Sequence, residues 1–169
     1  DGKGEACMSA GSTGALLVGA TFIVKRMKGV KRPALGAVMP SAEGPFILVD
    51  TGANVECTVP MLCQFARLGD IYMKKILGIQ NPRVALANIG AEETKGGELQ
   101  QKAYELLKAS HINFTGNVEP RDIPLGACDV VVADGFSGNI ILKLTEGMGK
   151  LISTKLKEIF MGGFLSKLG

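Results

Sequence analysis

The sequence predicts an α/β domain, a mostly parallel sheet packed between helices in a three-layer α/β/α arrangement. Three observations carry this expectation. Short apolar runs of strand length alternate with longer stretches of helical period along the chain. The clearest run, Asp129–Ala133 (Asp-Val-Val-Val-Ala), is continuously apolar after its first residue, the pattern of a strand buried on both faces. The composition joins 46% hydrophobic residues to only 5% aromatics, no Trp and 23 Gly, which suits close helix–sheet packing and tight turns. It excludes an all-β sandwich and a disordered chain. At 169 residues the chain is long enough for one domain with a real core and short for two, so residues 1–169 read as one domain.

The elements follow in order. Ala6–Met8 is a short apolar run, and a helix is predicted from Thr13 to about Met27 with Ser12 as its N-cap. Ala34–Met39 and Phe46–Val49 read as strands joined by the turn Pro40–Pro45, hence as antiparallel neighbours. Pro60 opens a helix that runs to about Leu77 and stops at Gly78. Arg83–Ala87 is a buried strand, Glu98–Ser110 an amphipathic helix, Ile112–Phe114 a further short strand and Asp129–Ala133 the most buried one. Residues 143–169 form an amphipathic helical segment whose apolar face carries Leu144, Met148, Leu151, Ile152, Leu156, Ile159 and Phe160. No repeats or low-complexity linkers interrupt the pattern.

The net charge is a modest +3, but it is unevenly placed. No Asp or Glu occurs from Ala6 to Ala42, whereas Lys25, Arg26, Lys28, Lys31 and Arg32 cluster there. This is either a solvated loop after a helix, whose cations complement the helix dipole, or a docking patch for an acidic partner. Four cysteines without CxxC spacing and a single His argue against a zinc site and a disulfide framework, so all four are read as reduced and the protein as cytoplasmic. No run reaches the roughly 18 apolar residues of a membrane span, and no signal peptide is seen. The C-terminal helix, with Lys150, Lys155 and Lys157 beside its apolar stripe, suits an anionic bilayer surface; alternatively the stripe packs on the sheet or a dimer partner, and Phe160–Leu168 is the better membrane candidate.

Chemistry in an open α/β sheet gathers at the carboxyl ends of strands. Four such ends carry Gly, Ser, Thr and Asn: Ser9–Gly14, Asp50–Asn54, Asn88–Gly96 and Asp134–Asn139. Glycine lets backbone N–H groups approach a ligand, neutral side chains add donors, and a helix N-terminus adds partial positive charge. The set describes a site for phosphate or a developing oxyanion. The first turn, Gly11-x-x-Gly14, lacks both the dinucleotide fingerprint and the Walker lysine, which disfavours nicotinamide and ATP chemistry. Asp50-Thr51-Gly52-Ala53 looks like the catalytic turn of retroviral-type aspartic proteases, but those domains are nearly all β and strong helical periods flank this one. Lys95 is either a solvated loop lysine or a point charge aimed at a phosphate.

In order and spacing these turns resemble the phosphate acyltransferase family. The likeness covers essentially the whole chain: Ser-Ala-Gly-Ser-Thr-Gly-Ala (9–15), Arg-Pro-Ala-Leu (32–35), Gly-Ala-Asn (52–54), Pro-Arg-Val (82–84), Asn-Ile-Gly-Ala-Glu-Glu (88–93) with Lys95-Gly96, Ile-Asn-Phe-x-Gly-Asn-Val-Glu (112–119) and Asp-Gly-Phe-Ser-Gly-Asn (134–139). The resemblance implies a fold similar to phosphotransacetylases and isopropylmalate-type dehydrogenases, a homodimer and peripheral membrane contact. It implies formation of acyl phosphate from acyl-carrier-protein thioester and inorganic phosphate, in bacterial phospholipid synthesis. Two departures stand out. Family members open with a strand ending in Asp-x-Met-Gly-Gly-Asp and extend beyond Gly169, so the chain reads as a fragment, and Thr51 replaces a usually apolar residue.

The expected site follows from that resemblance and from the anion-binding turns. Ser9, Gly11, Ser12, Thr13 and Gly14 would cradle phosphate. Lys95 and Asn139 would be catalytic, the lysine neutralising phosphate and the amide donating to phosphate or to the thioester carbonyl. Asp50, Asn54, Asn88, Asn117, Asp134, Gly135 and Ser137 would orient these groups or contact substrate. Lys25, Arg26, Lys28, Lys31 and Arg32 would dock the acidic carrier. No cofactor, metal or nucleic acid is expected. Alternatives are a phosphotransacetylase-like enzyme using acyl-CoA and a non-catalytic scaffold binding carrier protein at the membrane.

Overall fold

The computed structural model describes residues 8–165. Five short runs pair into one sheet, β1 (Gly36–Ser41), β2 (Gly44–Val49), β3 (Val84–Ala87), β4 (Phe114–Val118) and β5 (Val130–Val132). Its order is β1-β2-β5-β3-β4. β1 pairs antiparallel with β2 at the edge, and the other four strands are mutually parallel. The hairpin expected between β1 and β2 is present but tighter than the sequence indicates. Pro40 and Pro45 face each other within the ladder, leaving Ala42–Glu43 as the loop. β5 is the central strand, and Val130, Val131 and Val132 are each 0% exposed, as a run buried on both faces requires.

α2 (Val59–Lys75) and α3 (Glu98–Lys108) cover one face of the sheet. Phe65, Leu62 and Met73 of α2 and Leu107 of α3 pack there on Val49, Leu86, Val130 and Val132. On the other face Ile141 and Leu142, from the start of α4 (Gly135–Leu165), and a 3-10 turn at Ile123–Leu125 pack on Leu48, Val131 and Ala133. The α/β reading therefore holds, with a mostly parallel sheet and helices on both faces. α2 stops as expected, with Gly78 at φ +74° in the left-handed conformation that glycine adopts without strain.

Three boundaries differ from the sequence reading, each for a local reason. The helix α1 (Thr13–Gly19) continues only as a π-helical turn, Ala20–Val24, and does not reach Met27. Thr21, Phe22, Ile23 and Val24 are poor helix formers, the Lys25 N–H bonds back to the Ala20 carbonyl at 2.9 Å, and Lys25 turns to φ +73°. β4 begins at Phe114, where the expected strand ended, because Gly116 and Asn117 conceal its strand character; an irregularity in the β3–β4 register falls between Val84 and Ala85. Asp134–Asn139 is not a loop but the cap and first turn of α4, which starts directly after β5.

α4 has 31 residues and is about 46 Å long. Beyond Leu142 its apolar stripe stays bare: Leu144, Ile152 and Phe160 are 65%, 53% and 74% exposed. Among the described residues no helix is long and apolar enough to cross a membrane. Cys57, Cys63 and Cys128 are unpaired thiols. Most of the expected Ala6–Met8 run, together with Cys7 and residues 166–169, lies outside the described residues.

Candidate anion-binding site at the sheet edge

The parallel strands point their carboxyl ends at one edge, and three of the four expected turns leave from it. The loop after β2 is built on Asp50, which is fully buried. Its Oδ1 accepts from the N–H groups of Leu35 (2.9 Å) and Ala53 (3.2 Å), and its Oδ2 from the backbone (2.6 Å) and side-chain amide (2.9 Å) of Asn54. Asn54 Nδ2 also donates to the Pro33 carbonyl at 2.8 Å. A carboxylate with four donors is satisfied in place, so these two residues frame the loop. The pattern excludes the aspartic-protease reading, whose carboxylate must face substrate.

α4 starts against this loop. Asp134 caps it, accepting from the Ser137 N–H (2.8 Å) and hydroxyl (2.9 Å). The Gly135 N–H donates to the Asn54 carbonyl at 2.8 Å. Two glycines permit the contact: a Cβ on Gly135 would lie 2.5 Å from the Asn54 oxygen, and one on Gly138 only 1.9 Å from the Asp50 oxygen. The close approach sets Asn139 beside Gly52, whose φ of +132° requires glycine; a Cβ there would meet Asn139 Oδ1 at 3.6 Å.

A cleft of about 390 Å³ opens where these parts meet. Thr13, Thr51, Gly52, Gly135, Phe136 and Asn139 line it, and among the described residues Lys143 is its single lining cation. Lys143 Nζ lies 2.8 Å from Glu146. The start of α1 thus reaches the cleft through Thr13, with Ser12 as N-cap accepting from the Ala15 N–H at 3.4 Å, as the sequence indicated. Ser9 accepts from the Gly11 N–H at 3.1 Å, and Ser9, Gly11, Ser12 and Gly14 are exposed. The N-terminus of α4 turns its partial positive charge to the cleft, offset on the cap side by the Asp134 carboxylate.

Lys95 stands elsewhere, on the loop after β3. Asn88 Nδ2 donates to the Lys95 carbonyl at 3.1 Å, and Asn117 Nδ2 donates to the Glu92 carbonyl at 2.8 Å. These asparagines clamp the loop from the ends of β3 and β4. The Lys95 side chain is 45% exposed, with its Nζ 3.9 Å from Glu92 Oε1. The structure therefore groups the candidates into two clusters on one sheet edge: Thr13, Gly135 and Asn139 in the cleft over the Asp50–Asn54 frame, and Lys95 with Asn88 and Asn117 beside it.

Sequence reasoning missed Phe136 and Lys143 as cleft residues. The signal for Lys143 was present, because it stands four residues after Asn139 and so shares its helix face. Cys57 follows the β2 loop and donates to the Asn54 carbonyl at 3.4 Å. Burial raises its thiol, the Gly135 backbone partly offsets this, and Asp134 and Asp50 raise it further. It is not activated as a nucleophile. The candidate docking cations Lys25, Arg26, Lys28, Lys31 and Arg32 are exposed on the segment after α1.

Residues 1–169 match a family model described as fatty acid synthesis protein. The chain is 53% identical over 167 residues to the phosphate acyltransferase of Clostridium novyi (strain NT), covering 99% of this chain and 50% of that protein. It is 53% identical over 167 residues to the phosphate acyltransferase of Clostridium tetani (strain Massachusetts / E88), with 99% and 50% covered. It is 49% identical over 169 residues to that of Clostridium botulinum (strain Loch Maree / Type A3), with 100% and 50% covered. The chain spans about half the length of the curated relatives it matches.

Proposed function

Because this chain belongs to the fatty acid synthesis protein family, we propose that it carries out phosphate acyl transfer, forming acyl phosphate from an acyl-carrier-protein thioester and inorganic phosphate in the supply of phospholipid. The observation that supports this best is the cleft in which Thr13, Gly52 and Asn139 meet at the N-terminus of α4. Phosphate is itself the nucleophile, so the protein needs to hold it in line with the carbonyl carbon and stabilise an oxyanion. A phosphate oxygen adds to the carbonyl, the tetrahedral oxyanion collapses, and the carbon–sulfur bond breaks. The carrier leaves as a thiolate, which takes up a proton from water. Ser9–Gly14 receives the phosphate, Asn139 donates to phosphate or to the oxyanion, and Lys95 turns its ammonium to the bound anion. Asp50, Asn54, Asp134, Gly135 and Ser137 hold the frame, while Asn88 and Asn117 hold the Lys95 loop. Thiols are not required, in keeping with the upward shift that burial imposes on the Cys57 thiol.

The protein acts in the cytoplasm as a homodimer with peripheral contact to anionic membrane. The bare stripe of α4 supports both contacts, since a continuous exposed apolar face of this size is a partner surface. The deciding experiment is phosphate-dependent release of carrier thiol from acyl-carrier thioester. Turnover with the carrier substrate is expected, with acyl-CoA the poorer donor. A preference for acyl-CoA would move the reading to a phosphotransacetylase-like enzyme. Binding of carrier without turnover would reduce the protein to a scaffold.

A further inference from the structure

Away from the sheet edge, a groove of about 860 Å³ runs along the outer side of α2, between it, the end of α3 and the Met27–Lys31 turn. Gln64 of α2 holds that turn in place. Its Oε1 accepts from the Lys31 N–H, and its Nε2 donates to the Arg32 carbonyl, both at 2.7 Å. Val30, Leu68, Ile71, Leu106 and Ile112 form an apolar floor. Lys28, Lys31 and Arg67 stand around it, and among the described residues none of the three has an acidic partner. The one acid in the lining among the described residues, Asp70, is engaged by Lys74 at 2.9 Å.

We propose that this groove docks an acidic amphipathic helix of a partner protein, its apolar side on the floor and its carboxylates against Lys28, Lys31 and Arg67. Shape and charge both favour that occupant. Ile71 is 48% and Leu106 54% exposed, so the floor is too open to enclose a small ligand, which a binding pocket buries by roughly 70–90%. A helix about 10 Å across covers such a floor lengthwise and reads it through side chains three and four residues apart. A second copy of the chain is disfavoured, because a two-fold contact would set Lys28, Lys31 and Arg67 against their own counterparts. A bilayer is flat, whereas this floor lies between two helices and a turn. The groove also adds Arg67 on α2 to the docking set, a residue 35 positions beyond Arg32 in the chain and outside the basic cluster that composition reveals. The inference rests on the functional reading only for the partner's identity, the acyl carrier protein.

The test is the affinity of fluorescently labelled acyl carrier protein, read by anisotropy, for the wild-type protein and for Arg67→Glu, Leu106→Gln and Lys157→Glu. Arg67→Glu is expected to weaken binding about tenfold or more, Leu106→Gln by severalfold, and Lys157→Glu on α4 by less than about twofold. Wild-type binding should weaken steeply as salt is added. Circular dichroism confirms that the variants are folded, which the exposed site of Arg67 favours. Absence of carrier binding, or equal binding by Arg67→Glu and wild type, overturns the proposal. So does Arg67-dependent binding of phosphatidylglycerol vesicles in place of the carrier, or concentration-dependent self-association abolished by Leu106→Gln. Turnover of acyl-CoA with phosphate, measured on the same variants, separates the two readings. Carrier binding sensitive to Arg67 but without any thioester turnover retains the groove and removes the acyl-transfer reading. Phosphate-dependent turnover with binding indifferent to Arg67 does the reverse.

Discussion

Replacing Gly138 by Ala tests the frame of the site at its tightest point. The added Cβ would lie 1.9 Å from the Asp50 carbonyl oxygen, so either the helix or the β2 loop must move by more than about 1 Å to restore ordinary contact. Neither moves freely. The Gly135 N–H to Asn54 bond of 2.8 Å ties the two backbones together, and the Asp50 carboxylate holds the loop by four donors. Overpacking of this kind costs up to about 3 kcal/mol, and a backbone hydrogen bond lost with it about 1 kcal/mol more. Alanine returns about 1 kcal/mol through its better helix propensity. The net expectation is a loss of about 2–3 kcal/mol in urea unfolding followed by circular dichroism, with phosphate-dependent turnover lost as Asn139 leaves the cleft. Gly147→Ala is the internal control. It lies in the same helix with nothing within 4 Å of the added carbon, and its helicity should rise. If Gly138→Ala matches the stability and activity of wild type, the close packing of α4 on the β2 loop is not what holds the site.

Asp50→Asn replaces an acceptor oxygen by a donor facing N–H groups, and should cost about 3 kcal/mol in the same unfolding assay while leaving the secondary structure intact. Burial alone would raise the Asp129 carboxyl, but the Arg83 side chain (3.0 and 3.2 Å) and its backbone N–H (2.7 Å) outweigh this and hold it low. Its contribution is therefore full above the unfolded value of about 3.9 and lost as pH falls through the lower folded one. Asp129→Asn should flatten that acid limb of the urea midpoint against pH. Cys128 is buried beside Asp129, and its thiol is pushed up to about 12 by desolvation first and that carboxylate second, so thiol reagents at about pH 8 should leave it unmodified in the native protein and label it in urea. Lys95→Ala should leave stability unchanged and lower phosphate-dependent turnover about a hundredfold or more, and an unchanged rate removes Lys95 from the chemistry.

Much of the fold was legible because its signals are local. The valine run of β5 and the Pro60 start of α2 each declare themselves within a few residues. β4 was misplaced because Gly116 and Asn117 serve a register irregularity and a loop clamp, and neither role favours strand-forming residues. The candidate site was legible as chemistry but not as geometry. Gly135, Asn139, Asp50 and Asn54 were found by residue type, yet nothing in the sequence shows that Gly135 and Gly138 exist to bring two backbones into contact. That depends on α4 crossing the β2 loop, a contact 88 residues apart in the case of Gly138 and Asp50. Lys143 shares a helix face with Asn139 by its spacing, but that it lines the cleft depends on which helix face meets the β2 loop.

The separation of the two clusters carries the main consequence for the chemistry. A bound phosphate would bring one to two negative charges, and the cleft offers a helix N-terminus worth about half a charge but capped by the Asp134 carboxylate, neutral donors and Lys143. Lys143 is already engaged by Glu146, so little net positive charge remains in the cleft itself. Lys95 is held loosely at its tip but firmly at its backbone, by Asn88 and by the Asn117 clamp on Glu92. That combination suits a cation that is presented to a neighbouring site and not spent in a structural ion pair. The strand order reinforces it, because β5, which feeds the cleft, lies directly beside β3, which feeds the Lys95 loop. On the proposed reading, Lys95 would reach across adjacent strand ends only when an anion is there to attract it, so the site would stay weakly charged until phosphate binds.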